Sequence, residues 1–145
     1  MQRQKMSVGF ADLTHYERLM AAVSEEEAIA HLQACVQAAG DVIVKHGGQI
    51  RKYIGDALLF SFTDPRQAIG AAKELAQFSR EVEGLTLHYD IAIATGEVLV
   101  VQLGHPSYVV EDILGETVNR AAKLLRQAAQ SKDGFALCEE TQKYA

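Results

Sequence analysis

Apolar residues in this chain recur at every second position in some stretches and at every third or fourth in others, and the two periods alternate from end to end. A chain patterned this way buries its apolar side only by packing strands and helices on one another. Ser7 to Leu13 is a short apolar run, with Val8, Phe10, Ala11 and Leu13, and predicts a buried strand. Ser24 followed by Glu27 makes a capping box, with its acids at the positive end of the helix dipole. Behind it Ala28, Leu32, Cys35, Val36, Ala39, Val42 and Ile43 keep helical spacing until Gly47-Gly48 stops the helix. Gln49 to Tyr53 and Ala57 to Phe62 alternate about Gly55-Asp56 and predict a hairpin. Asp64-Pro65 supplies an N-cap and a first-turn proline for a second helix reaching about Val82. Leu85 to Ala94 and Glu97 to Leu103 read as another strand pair about Thr95-Gly96. A third helix is expected from about Val118 to Ala129, and a last short strand from Phe135 to Cys138. The expected class is α+β, an antiparallel-dominated sheet with helices packed on one face.

A chain of 145 residues with 48% hydrophobic content can build one core, and no linker or internal repeat divides it. Residues 1–145 are therefore expected to form a single domain. A net charge of −5 without a block of like charge argues against a general binder of nucleic acid or of anionic membranes. No apolar run approaches the roughly 18 residues of a membrane span, and no signal-peptide pattern opens the chain, so a cytoplasmic location is expected. Cys35 and Cys138 sit inside apolar runs without ligand spacing and read as buried thiols in a reducing compartment. His15, His31, His46, His88 and His105 form no metal-binding pair at helical spacing. Phe60 and Phe62 read as core rather than as a stacking platform for bases.

Two carboxylates fall at unusual places. Asp12 closes the first strand, and Asp56 sits at the tip of the Lys52-to-Asp56 hairpin arm. If these elements are sheet neighbours, both acids project from one edge. Convergent carboxylates with few basic neighbours suit Mg²⁺ on a triphosphate, because that ion takes hard oxygen ligands and keeps several waters. Taken singly, each Asp is more often explained by ordinary turn and capping chemistry.

The assembled pattern is more specific. Phe10-Ala11-Asp12-Leu13, Gly47-Gly48-Gln49-Ile50-Arg51-Lys52-Tyr53-Ile54-Gly55-Asp56-Ala57, Thr95-Gly96-Glu97-Val98 and Asp112-Ile113-Leu114-Gly115-Glu116-Thr117-Val118-Asn119-Arg120-Ala121-Ala122 occur in order. Together they resemble the class III adenylyl/guanylyl cyclase catalytic domain, nearest to bacterial-type homodimeric adenylyl cyclases, from about Ser7 to Thr141. The resemblance implies a ferredoxin-like, palm-type sheet. It implies that Asp12 and Asp56 bind two Mg²⁺ or Mn²⁺ ions per site. The main chain of Leu13, Thr14, His15 and Tyr16 would cradle the phosphates. Lys52 and Asp112 would read the base: Lys only donates, matching adenine N1, and Asp only accepts, matching the adenine amino group. Guanine reverses both edges, so the pair favours ATP over GTP. Asn119 would orient the ribose.

Two positions depart from the family. Four residues after Asn119 the family has an arginine that contacts the phosphates, and here the residue is Lys123. Lysine keeps the charge but loses the planar two-point contact. Arg126 lies one turn beyond, whereas Arg120 points about 100° away round the helix. Glu17 stands where the family commonly has Ser or Thr, and adds a carboxylate near the phosphate-binding turn. The resemblance further implies cyclisation of ATP to 3′,5′-cyclic AMP and pyrophosphate at a homodimer interface, with Asp12 and Asp56 from one protomer. Lys52, Asp112, Asn119 and Lys123 would come from the other, and Glu97 to Leu103 with the loop through His105-Pro106-Ser107-Tyr108 would join the interface. The start of the chain close to the first catalytic strand reads as an isolated catalytic module, and a regulatory domain in a longer parent chain is compatible with it. A degenerate, nucleotide- or partner-binding domain and a cyclase for another triphosphate are the alternatives.

Overall fold

The computed structural model describes residues 1–145. Its elements run β1 (Gln2–Thr14), α1 (Tyr16–Ala22), α2 (Glu25–Lys45), β2 (Gln49–Ile54), β3 (Ala57–Phe62), α3 (Pro65–Ala76), β4 (Ser79–Val82), β5 (Leu85–His105), β6 (Tyr108–Leu114), α4 (Glu116–Gln130), β7 (Phe135–Leu137) and α5 (Glu139–Gln142). The sheet has the order β2-β3-β1-β5-β4, with β6 and β7 also pairing to β5. Only β7 runs parallel to its neighbour.

The period of two in β1 decides how the layers form. Ala11 and Leu13 point to one face, where they meet Leu58 and Phe60 of β3, Tyr89, Ile91 and Ile93 of β5, and the apolar sides of α1, α2 and α3. Met6, Val8 and Phe10 point to the other, where they meet Leu59, Ala94, Val98, Ile113 and the buried stripe of α4 at Val118 and Ala121. The α+β class and the antiparallel sheet are as expected. The covering of one face alone holds for α1 to α3, whereas α4 packs on the opposite face.

The helix signals act where the sequence places them. Ser24 Oγ accepts the Glu27 N–H at 3.2 Å, and Asp64 Oδ1 accepts the Arg66 N–H at 2.9 Å. Gly47, at φ 91°, ends the turn after α2. Several elements differ from expectation: β1 begins at Gln2, five residues before Ser7, and runs past Asp12 to Thr14, and β6 and α5 have no counterpart among the expected elements. The helix that begins at Pro65 ends at Ala76 instead of continuing to Val82, because Ser79–Val82 pairs antiparallel with Leu85–His88. Glu83 and Gly84, both at positive φ, form the tight turn of that hairpin. Thr95-Gly96 is not a turn: β5 is one continuous strand, and these two residues pair with Ser7 and Met6 in its middle. A Cβ on Gly96 would come within 2.6 Å of Thr117 Oγ1, so the glycine serves the close approach of α4.

Candidate active site

The β1–β3 register brings the two predicted carboxylates together. Asp12 pairs with Ala57, the residue that follows Asp56 out of the β2–β3 turn. Both acids line one open concavity with Thr14, Tyr16, Glu17 and Asp90. The Asp12 carboxyl is pushed up to about 6, by burial first and then by the charges of Asp56 and Asp90. Burial raises Asp56 as well, with its own backbone N–H acting in the opposite direction.

The remaining residues assigned to this end fall in the same place. Chain direction changes at His15, which sits at φ 74° as the N-cap of α1. Its ring is committed elsewhere, with Nδ1 2.9 Å from the Thr86 carbonyl. Leu13 and Tyr16 are buried in the core, so Leu13, His15 and Tyr16 offer the concavity main chain more than side chain. The His15 carbonyl accepts the Leu19 N–H at 3.1 Å, which leaves the N–H groups that open α1 without intrahelical acceptors.

Lys52 and Asp112 form a second, separate cluster. A bulge between Ile50 and Lys52 turns consecutive side chains of β2 toward β6. Lys52 Nζ donates to Asp112 Oδ2 at 2.9 Å, and Asp112 Oδ1 accepts the Ile113 N–H at 2.8 Å. Beside them Arg51 donates through Nε to Ser61 Oγ at 2.8 Å and through Nη1 to Glu111 Oε1 at 3.2 Å. Asp112 is 7% exposed and Lys52 42%, so the acid is fixed and the amine stands at the lip of its own concavity, beside Tyr53 and Tyr108.

Asn119 and Lys123 lie on α4. Thr117, Val118, Ala121 and Ala128 take the buried side of that helix, and helical spacing then forces Asn119 and Lys123 outward. Lys123 lines a solvent-facing groove with Arg120 and Arg126. The chain thus carries a paired-carboxylate end and a Lys–Asp end on different parts of its surface. Residues that sequence reasoning missed are Asp90, Arg51 and Glu111. Asp90 was legible in part, since Leu87, Tyr89 and Ile91 alternate inward and leave it on the opposite face. Arg51 and Glu111 depend on the bulge and on the β5–β6 fold-back, which leave no mark in local spacing.

The carboxylate end fits divalent cations. Its donors are hard oxygens, and no Lys, Arg or His lies within ion-pair distance of Asp12 or Asp56. No set of three His, Cys, Asp or Glu side chains encircles an ion there. An open pair of carboxylates is the donor set expected where phosphate oxygens and water complete the shell.

The chain is similar in architecture to several solved nucleotide cyclases. A bacterial light-regulated adenylyl cyclase superposes with TM-score 0.85 at 23% identity, over 99% of this chain and 46% of that one. The guanylyl cyclase Cya2 gives TM-score 0.85 at 24% identity, covering 99% of this chain and 79% of its own. The adenylyl cyclase CyaB from P. aeruginosa gives 0.79 at 24% identity, covering 99% and 81%. The fold is that of a class III nucleotide cyclase catalytic domain.

Among curated relatives, an adenylate cyclase of Streptomyces coelicolor is 30% identical over 124 residues, 86% of this chain and 30% of that protein. An adenylate cyclase of Anabaena cylindrica is 27% identical over 134 residues, 83% of this chain and 27% of its own length. An uncharacterised protein of Mycobacterium tuberculosis is 31% identical over 124 residues, 84% of this chain and 30% of its own. No protein-family model matches the chain. On fold and on these relatives the chain belongs to the class III adenylyl/guanylyl cyclase catalytic-domain family. It spans about a third of the length of the curated relatives it matches.

Proposed function

We propose that the domain converts ATP to 3′,5′-cyclic AMP and pyrophosphate, as a homodimer whose sites each join the carboxylate end of one protomer to the Lys–Asp end of the other. The observation that carries this reading is the Lys52–Asp112 pair. It offers one donor and one buried acceptor at the lip of a concavity, complementary to adenine N1 and its amino group. Guanine would oppose donor to donor and acceptor to acceptor, a mismatch that costs orders of magnitude in selectivity. That adenylyl and guanylyl cyclases share this fold makes the base-reading pair, and not the fold, the ground for choosing ATP.

The chain's own residues hold and orient the substrate. Asp12 and Asp56 would hold two Mg²⁺ or Mn²⁺ ions, which supply charge neutralisation on the phosphates and lower the pKa of the ribose 3′-hydroxyl. The N–H groups opening α1 would take phosphate oxygens. Asn119 would fix the ribose so that its 3′-oxygen faces the α-phosphorus in line with the departing pyrophosphate. Lys123 would meet charge on the phosphates as the P–O bond breaks. No side-chain base is required, since the hydroxyl proton passes to water once the hydroxyl is acidified.

Glu17 favours a weaker variant of the reading. It lies in the concavity with Asp12 and Asp56 and its charge pushes both carboxyls up, so a triphosphate meets added repulsion there. A domain of low turnover, or one that retains nucleotide without cyclising it, is the second reading. The experiment compares product formation from ATP, GTP, CTP and UTP with Mg²⁺ or Mn²⁺, for the parent and for Asp12→Ala. Cyclic AMP lost in Asp12→Ala is the expected result. No product from any triphosphate at dimeric concentrations would remove the catalytic reading, and a preference for GTP would remove the base assignment.

A further inference from the structure

Asp90 has no part in the roles assigned so far, yet it sits inside the carboxylate end. Leu87, Tyr89, Ile91 and Ile93 of β5 fill the core on one face of the sheet, which leaves Asp90 on the other. In the β1–β5 register it lies directly opposite Asp12. Like charges directly opposite in an antiparallel pair destabilise it. Asp90 is nevertheless only 14% exposed, and no Lys or Arg neutralises it. Its partners are the Thr14 hydroxyl, which donates to Oδ2 at 3.0 Å, and His88, whose Nδ1 lies 3.9 Å from Oδ1. Two neighbouring strands therefore hold a carboxylate against Asp12 with no Lys or Arg ion-paired to it, in a concavity that also contains Asp56 and Glu17 and the cation of Arg18.

We infer that Asp90 is a positioning residue for the cation site, adding a third negative charge beside the Asp12–Asp56 pair and fixed in place by Thr14. The inference rests on the cyclase reading of that site. Asp90 is not assigned as a ligand, since no three acids converge on one point. Its charge acts on the ion through the space it shares with Asp12, and the Thr14 bond stops the carboxylate from rotating away to solvent. Nearby groups that hold the carboxylates of a metal site typically change metal affinity about 10- to 100-fold when removed. The repulsion between Asp12 and Asp90 is relieved when a divalent cation binds, so the fold stores affinity for the ion as cross-strand strain between like charges.

A purely structural role for Asp90, tying Thr14 to β5, makes a different prediction, because asparagine keeps the acceptor and removes only the charge. The test is Mn²⁺ binding to the whole domain without nucleotide, read by electron paramagnetic resonance of the free ion. Parent, Asp12→Asn, Asp90→Asn and Asp90→Glu are compared, with a thermal melt of each. Asp12→Asn should lose the site, Asp90→Asn should bind about tenfold more weakly, and Asp90→Glu should recover most of the difference. Unchanged Mn²⁺ affinity in Asp90→Asn, or a parent that binds no Mn²⁺ at millimolar concentration, would overturn the inference. Asp90→Gln, neutral, with an amide oxygen as acceptor for Thr14 and matched to Asp90→Glu in length, gives the same comparison if Asp90→Asn does not fold. A parent that binds Mn²⁺ with this pattern but makes no cyclic nucleotide sustains the role of Asp90 and removes the cyclase reading.

Discussion

Asp12 is held near the end of the inner strand β1 at a cost to the fold, and the sign of that cost is testable. Its folded pKa of about 6 lies above the ordinary 3.8. Below both values the group is protonated whether folded or not, and contributes nothing. Between them the folded chain keeps a proton that the unfolded chain releases, so stability falls as pH rises, and above about 6 the whole penalty is present. The bare shift amounts to about 3 kcal/mol, which solvent at this half-buried site reduces to about 1–2 kcal/mol. Asp12→Asn should therefore melt higher than the parent at pH 7.5 without metal, and the gap should shrink toward pH 4.5. A lower melting point at pH 7.5 would contradict the electrostatic account. Lys52 makes the opposite case. Removing it as Lys52→Ala leaves the buried Asp112 carboxylate with one backbone N–H, and should cost about 1–2 kcal/mol by urea denaturation. At Lys123, restoring the planar fork as Lys123→Arg should raise kcat about thirtyfold, or about 2 kcal/mol of transition-state stabilisation. An unchanged kcat would place Lys123 away from the phosphates.

At the scale of elements, the sequence signals that worked are those with a local cause. Ser24 with Glu27, Asp64-Pro65 and Gly55-Asp56 act within a few residues of themselves, and each marks a real boundary. The signals that misled are those with a distant cause. Gly96 reads as turn chemistry beside Thr95, but the absent side chain makes room for Thr117 of α4, whose hydroxyl donates to the Glu97 carbonyl at 2.7 Å. Ser79 to Val82 is expected within the helix that Asp64-Pro65 opens, whereas it pairs with Leu85–His88 across a turn at Glu83-Gly84. The carboxylate end and the Lys–Asp end were legible by type through the family motifs. Their separation on the surface, and the addition of Asp90, Arg51 and Glu111, required the register of β1 with β5 and the return of β6 toward β2. Gly96→Ala separates the two explanations of that glycine. A turn would tolerate alanine with little change, whereas the close approach to α4 predicts a loss of about 1–3 kcal/mol in a urea titration.

At the scale of the molecule, the proposed reading joins the two ends into one site by pairing two copies of the chain. The β5–β6 hairpin extends past the body of the sheet and exposes Leu103, Tyr108, Val109 and Val110, with Tyr53 and Ile54 of β2 also uncovered. Tyr108, at 75% exposure, is an unusual residue to leave in water, and it borders the Lys52–Asp112 concavity. A two-fold pairing through this region would present the Lys–Asp end of each chain to its partner, and would do so twice by symmetry. The consequence is a complementation experiment. Asp12→Asn breaks the carboxylate end, and Asn119→Ala breaks the other, so each variant alone should be inactive. Mixed one to one and allowed to exchange, half the dimers carry both variants, and each of those keeps one of its two sites intact. The mixture should therefore recover about a quarter of the parent's activity. Recovery of that order locates the site between chains. A mixture no more active than its parts would mean that each site is built within a single chain, and the separation of the two ends would then need a folding-over of the β5–β6 hairpin instead of a partner.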